Sequence, residues 1–139
     1  MIAVDTGFLL ALVDARNRWH EKAMAVRHTA SEGWITTWPV ITETAYLYRS
    51  RLDEHAVHAL LEDVATGELR VWNIPPQAAA DIGKLMRKYA ALPMDLADAS
   101  LVLLAEHLGH GRILSTDPRD FGTCRWKNRK PFKNLLEVP

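Results

Sequence analysis

Four short apolar runs, each followed by a helical stretch, constrain this chain most. They are Ile2-Ala3-Val4, Trp34-Ile35-Thr36-Thr37, Leu69-Arg70-Val71-Trp72 and Ile113-Leu114-Ser115-Thr116. Short runs rich in branched side chains read as buried strands. The stretches between them carry helical spacing, as in Val57, Leu60, Leu61 and Val64. Strands alternating with helices predict a three-layer α/β/α domain around a central, mainly parallel sheet. A chain of 139 residues with 48% apolar content is expected to form a single domain over residues 1–139 with an ordinary core.

Local signals mark the expected helices. Thr6 is placed to cap a helix over residues 8–13. A second helix covers 21–30 and stops at Gly33. Pro39 suits the start of a third, running through Glu43 to about residue 49. Helices are also expected over 54–66 and, after Pro75 and Pro76, over 77–89. Pro93 opens the next helix. Its interior, 96–108, is apolar nearly all round, which predicts a central buried helix ended by Gly109 in a left-handed cap. In the tail, 124–126 or 132–135 could add an edge strand.

Parallel sheets bind ligands beyond the carboxyl ends of their strands. Asp5 ends the first apolar run and Asp117 follows the last. Glu43, Asp95 and Asp98 fall in first turns of expected helices. The pattern therefore brings these acids together. Two carboxylates about 4 Å apart repel by roughly 4 kcal/mol at an effective dielectric near 20. Such a cluster survives mainly when a hard cation fills it, which points to metal-dependent chemistry on phosphate esters.

Each acid also has a plainer role open to it. Asp5 can cap the following helix, and Glu43 can answer a helix dipole. Asp117 precedes Pro118 and fits an Asp-Pro turn. Asp95 and Asp98, three apart, share one helix face, and Asp95 divides evenly between capping and a supporting role. Asp120 is read as a turn cap. The hydroxyls of Thr6, Ser115 and Thr116 can orient carboxylates or make local backbone bonds.

Formal charge balances at 17 basic and 17 acidic residues, so net charge alone names no partner. With five acids in one cleft, the remaining surface is net basic. Arg16 and Arg18, Arg119, and Lys127 and Arg129 are then candidates for holding phosphates. Arg112, at the start of a strand, is the weakest candidate. One cysteine, Cys124, excludes an internal disulfide and fits a reducing cytosol. No run is long enough to span a membrane, and no basic leader precedes an apolar segment. The expectation is a cytoplasmic protein with no membrane partner. The pairs His55/His58 and His107/His110 lack further ligands for a zinc set.

The motifs Ile2-Ala3-Val4-Asp5-Thr6, Ile41-Thr42-Glu43, Pro93-Met94-Asp95-Leu96-Ala97-Asp98-Ala99-Ser100 and Ile113-Leu114-Ser115-Thr116-Asp117 resemble those of the PIN-domain ribonucleases. The resemblance runs along essentially the whole chain and is strongest to the VapC toxins of toxin–antitoxin pairs. It implies that Asp5, Glu43, Asp98 and Asp117 form a catalytic quartet binding Mg²⁺ or Mn²⁺, with Asp95 at a position that is often acidic. It further implies an RNA substrate, a homodimer, and a cognate antitoxin that blocks the acidic cleft.

Two other readings compete. A phosphatase of the haloacid-dehalogenase type needs a second Asp two residues after the first, and Gly7 stands there. A receiver domain needs an acidic pair at the first strand end, which is absent. A non-catalytic module of the same fold would show a broken acidic set, and this one is intact.

Overall fold

The branched runs form four strands of a five-stranded sheet ordered β3-β2-β1-β4-β7, with the run Leu69–Trp72 at one edge. Its strands are β1 (Ile2–Val4), β2 (Trp34–Thr37), β3 (Leu69–Trp72), β4 (Arg112–Leu114) and β7 (Lys133–Asn134). Every neighbouring pair is parallel. A separate antiparallel ribbon joins β5 (Arg125–Trp126) to β6 (Lys130–Pro131). These elements come from a computed structural model, which describes residues 1–127 and 129–136, and only the backbone of residues 118–120. The matching of Ala3 to both Ile35 and Ile113 puts β1 at the centre, where all its residues are buried.

The helices are α1 (Thr6–Val13), α2 (His20–Thr29), α3 (Trp38–Arg51), α4 (Glu54–Thr66), α5 (Ala79–Lys88), α6 (Leu96–Leu108) and α7 (Pro118–Thr123). Right-handed crossovers carry the chain from β1 through β2 to β3, then back across the sheet to β4. By the right-handed rule for parallel crossovers, the reversal assigns α5 and α6 to the face opposite the earlier helices. α6 lies against β1 and β2, and most of its side chains, including Leu101, Val102 and Leu104, are buried. The result is the three-layer arrangement expected from the alternation of runs.

Several boundaries differ from the sequence reading, each for a local reason. Asp5, not Thr6, caps α1, because its carboxylate accepts the Phe8 N–H at 3.0 Å. Pro93 lies in a turn before α6, whose cap is Asp95. The helix expected over 77–89 starts as a 3₁₀ turn, Pro76–Ala78. β4 stops at Leu114, so Asp117 lies three residues beyond it; the Ser115 hydroxyl is already turned toward Asp5 and the Asp117 N–H. Both tail alternatives form strands, but only β7 joins the main sheet. Gly109 does close α6 at φ 79°. The side chain of Asp120 lies outside the described residues.

Gly111 is fixed by packing. A Cβ there would stand 2.5 Å from Trp126 Nε1 and 3.2 Å from the Phe132 Cα. Trp126 is buried and its indole N–H donates to the Pro131 carbonyl, so it has little room to retreat. Gly111→Ala should therefore cost about 1–3 kcal/mol by overpacking. A urea midpoint equal to that of the parent would show that the ribbon yields freely.

Candidate functional site

The chain order reverses between β1 and β4, the switch point where open α/β sheets leave a crevice. A cleft of about 450 Å³ opens there, and its lining contains Asp5, Glu43, Asp95, Asp98 and Asp117 together. Thr6 and Thr116 line it as well. A larger cavity of about 570 Å³, reaching Leu60 of α4 and Leu69 of β3, contains none of the five acids.

Asp5 is 9% exposed and held from two sides. One oxygen accepts the Phe8 N–H and the other accepts the Ser115 hydroxyl at 2.5 Å. Burial pushes its carboxyl up to about 6 from an ordinary 3.8; the Ser115 and Phe8 hydrogen bonds oppose this, and the charges of Asp117 and Glu43 add to it. Asp5 therefore both caps α1 and faces the cleft.

Ser115 is fully buried and works as a hub. Its hydroxyl donates to Asp5 and accepts the Asp117 N–H at 3.0 Å. Asn134 of β7 fixes its backbone: the Asn134 amide donates to the Ser115 carbonyl at 2.9 Å, and its oxygen accepts the Ser115 N–H at 3.2 Å. Gly7 keeps α1 close to this loop, since any Cβ there would strike the Thr116 hydroxyl.

Glu43 comes from α3, on the wall beside Thr6. Burial raises its pKa, a Thr6 hydrogen bond lowers it, and the charge and hydrogen bond of Asp95 raise it again. Asp95 and Asp98 form a capping box at the start of α6. Asp95 accepts the Asp98 N–H at 2.8 Å, and Asp98 accepts the Asp95 N–H at 3.2 Å. Each carboxylate thus commits one oxygen to the backbone. The helix dipole offsets part of the crowding that sequence spacing implied.

The donor set is carboxylate and hydroxyl oxygen throughout, which suits a hard divalent cation. Asp5 is under pressure chiefly from burial, with the charges of Asp117 and Glu43 adding a smaller push. Among the described residues, no three acids are drawn around one point as in a formed metal site. The chemistry of the lining fits a cation; closing the ligands around it needs side-chain adjustment.

The expected phosphate-holding cations are scattered. Arg16 pairs with Asp14 at 3.1 Å and donates to the Arg51 carbonyl. Arg18 lies over the Trp19 ring. Lys127 and Arg129 belong to the β5–β6 ribbon, where the Lys127 N–H donates to Glu106. Glu106 is two turns beyond Asp98, on the order of 12 Å along α6. The ribbon therefore packs at the far end of that helix and does not flank the cleft. The Arg119 side chain and Asn128 lie outside the described residues. Arg112 pairs with Glu32, away from the acids. Within the run Arg16-Asn17-Arg18, Asn17 does line the cleft; sequence reasoning missed Arg51, which also lines it, and Asn134, which locks Ser115. No local signal marks either of these two, since each depends on a tertiary neighbour.

Among the described residues, no helix is long and apolar enough to cross a membrane. The family model for the PIN domain matches residues 2–123. Ribonuclease VapC26 of Mycobacterium tuberculosis is 29% identical over 125 residues, spanning 88% of this chain and 90% of the relative. The crystal structure of Mycobacterium tuberculosis VapC20, a Sarcin-Ricin loop cleaving toxin, is similar with TM-score 0.79 and 19% identity, over 86% of this chain and 92% of VapC20. A Pyrobaculum aerophilum protein of solved structure has TM-score 0.55 and 19% identity, over 96% of this chain and 88% of its own. The last two likenesses are of fold. With the matched model covering four of the five strands of the main sheet, the acid-bearing helices and the loop to Asp117, the chain belongs to the PIN-domain family.

Proposed function

We propose that this protein is a metal-dependent endoribonuclease of the VapC toxin type. The observation that carries the reading is the convergence of five carboxylates in one cleft at the β1/β4 switch point. The likeness to a VapC ribonuclease supports RNA as the substrate. Asp5 and Asp98 would be the central ligands of Mg²⁺ or Mn²⁺. Glu43 and Asp117 would complete the set, with Asp95 supporting it. When bound, such a cation supplies Lewis-acid stabilisation of charge on the oxygens of a phosphodiester.

The chain's own residues prepare the site. Ser115 fixes the Asp5 carboxylate, and Asn134 fixes Ser115. Thr6 orients Glu43. The capping box holds Asp95 and Asp98 on a rigid helix start, not on a free loop. Burial of Asp5 removes water from around its carboxylate, which strengthens the charge interactions it makes.

The direct test is to sequence RNA 5′ ends after inducing the protein, with Asp5→Asn as the control. New ends at defined positions, absent with the variant, are expected. Identical RNA ends in both cultures would sink the nuclease reading and favour a binding module. The reading also includes a homodimer and an antitoxin that presents a basic group to the acids. Co-expression with the neighbouring reading frame should yield a co-purifying complex of reduced nuclease activity. Recovery of only free, fully active protein would remove the antitoxin from this account.

A further inference from the structure

The cleft contains one basic side chain among its described lining residues, Arg51. It ends α3, eight residues after Glu43 and four after Leu47, all on the wall that faces the acids. Two helical turns separate Arg51 from Glu43, on the order of 12 Å along the axis. A stacked strand crosses that distance in a few nucleotides at about 3.4 Å of axial rise each.

Its neighbours explain why Arg51 is the cation to watch. Arg49, on the same helix, is bound to Glu54 at 2.7 and 2.9 Å. Arg16 is bound to Asp14, and Arg112 to Glu32. The Arg51 guanidinium has no hydrogen bond or ion pair among the described residues, and the residue is exposed. Its backbone is nonetheless held: Arg16 donates to the Arg51 carbonyl at 3.1 Å while Asp14 grips Arg16. The site thus has a fixed base and a charged head that acts on Asp14 only through its charge, without a hydrogen bond among the described residues. Asn17, whose side-chain oxygen is taken by the Trp19 N–H at 2.9 Å, adds an NH₂ donor to the same lining.

Acids that hold a cation cannot also hold a flanking phosphate, so the strand needs an anchor beyond them. A guanidinium matches phosphate oxygens with two parallel N–H donors. We infer that Arg51, with Asn17 beside it, holds an RNA backbone phosphate a few nucleotides from the scissile one and so sets the path of the strand through the cleft. This inference rests on the ribonuclease reading above.

The test measures binding of total cellular RNA in an Asp98→Asn background, against salt, for Arg51, Arg51→Ala and Arg51→Lys. Arg51→Ala should weaken binding several-fold and reduce the salt slope by about 0.7. Arg51→Lys should restore the slope but only part of the affinity, because the charge returns without the fork. In the active background, Arg51→Ala should raise KM more than it lowers kcat. Melting temperatures should stay at the parent's value. An unchanged slope and KM, or a change in melting temperature alone, overturns the assignment while the nuclease reading stands. A parent protein that neither binds nor cleaves RNA overturns both.

Discussion

Asp5→Asn is expected to reduce RNA cleavage by more than about 100-fold, since even residues that only support metal ligands typically cost 10–100-fold. The same variant should be the more stable protein when no metal is bound. Moving the Asp5 pKa from 3.8 to about 6 costs the folded state about 3 kcal/mol at neutral pH. Asparagine keeps the acceptor for the Phe8 N–H. Its NH₂ can donate to Ser115, whose hydroxyl then turns fully to the Asp117 carbonyl, 3.4 Å away. Allowing for an imperfect fit, the gain should be about 1–3 kcal/mol.

The pH dependence gives the sign independently. The folded pKa lies above the unfolded one, so between 3.8 and about 6 the folded state binds more protons. The parent then loses stability as pH rises through that window, while the asparagine variant lacks this contribution. Melting curves in chelator should nearly coincide near the lower limit and separate above the upper one. Curves separated by the same amount at every pH would mean that Asp5 is not the group under pressure. A variant less stable than the parent at neutral pH would mean that the acids do not repel in the folded protein.

Removing divalent cations should silence RNA cleavage by at least about 100-fold, and Mg²⁺ or Mn²⁺ should restore it. The cleft offers oxygen donors and crowded negative charge, and without a counter-charge it would repel a phosphate. Binding should also be visible in stability. Cation at a hundredfold excess over its Kd would add about 2.7 kcal/mol to the parent. Asp98→Asn should lose most of that increment together with its activity, yet keep its fold. An asparagine oxygen there still accepts the Asp95 N–H, so the capping box survives. Cleavage undiminished in excess chelator would exclude the metal mechanism whatever the melting curves show.

The alternation of branched runs and helices made the sheet legible, because burial on both faces leaves few residue types for a central parallel strand. Asp5 and Asp117 were placed by the same logic, as residues just past strand ends. The finer assignments failed where two side chains compete for one local job. Thr6 and Asp5 can each cap α1, and only the approach of Ser115 decides how Asp5 is oriented. Pro93 is a fair helix opener on its own, but the reciprocal bonds of Asp95 and Asp98 start α6 later. Arg51 looked like any exposed helix-end arginine. Its place in the cleft depends on how α3 packs against α1 and α6.

Asn134 gives the site a history as well as a shape. The first acid stands at position 5, but the hydroxyl that orients it comes at position 115 and the amide that fixes the Ser115 backbone at 134. Domains form as their chains emerge from the ribosome, beginning at the amino end. A nascent copy can build α1 to α4 over three strands of the sheet and still lack the side chains that finish the cleft. Segments far apart in the sequence must meet before Asp5 takes its final orientation. A chain interrupted before position 115 carries Asp5 and Glu43 without Ser115 or Asn134, and so without the contacts that orient Asp5.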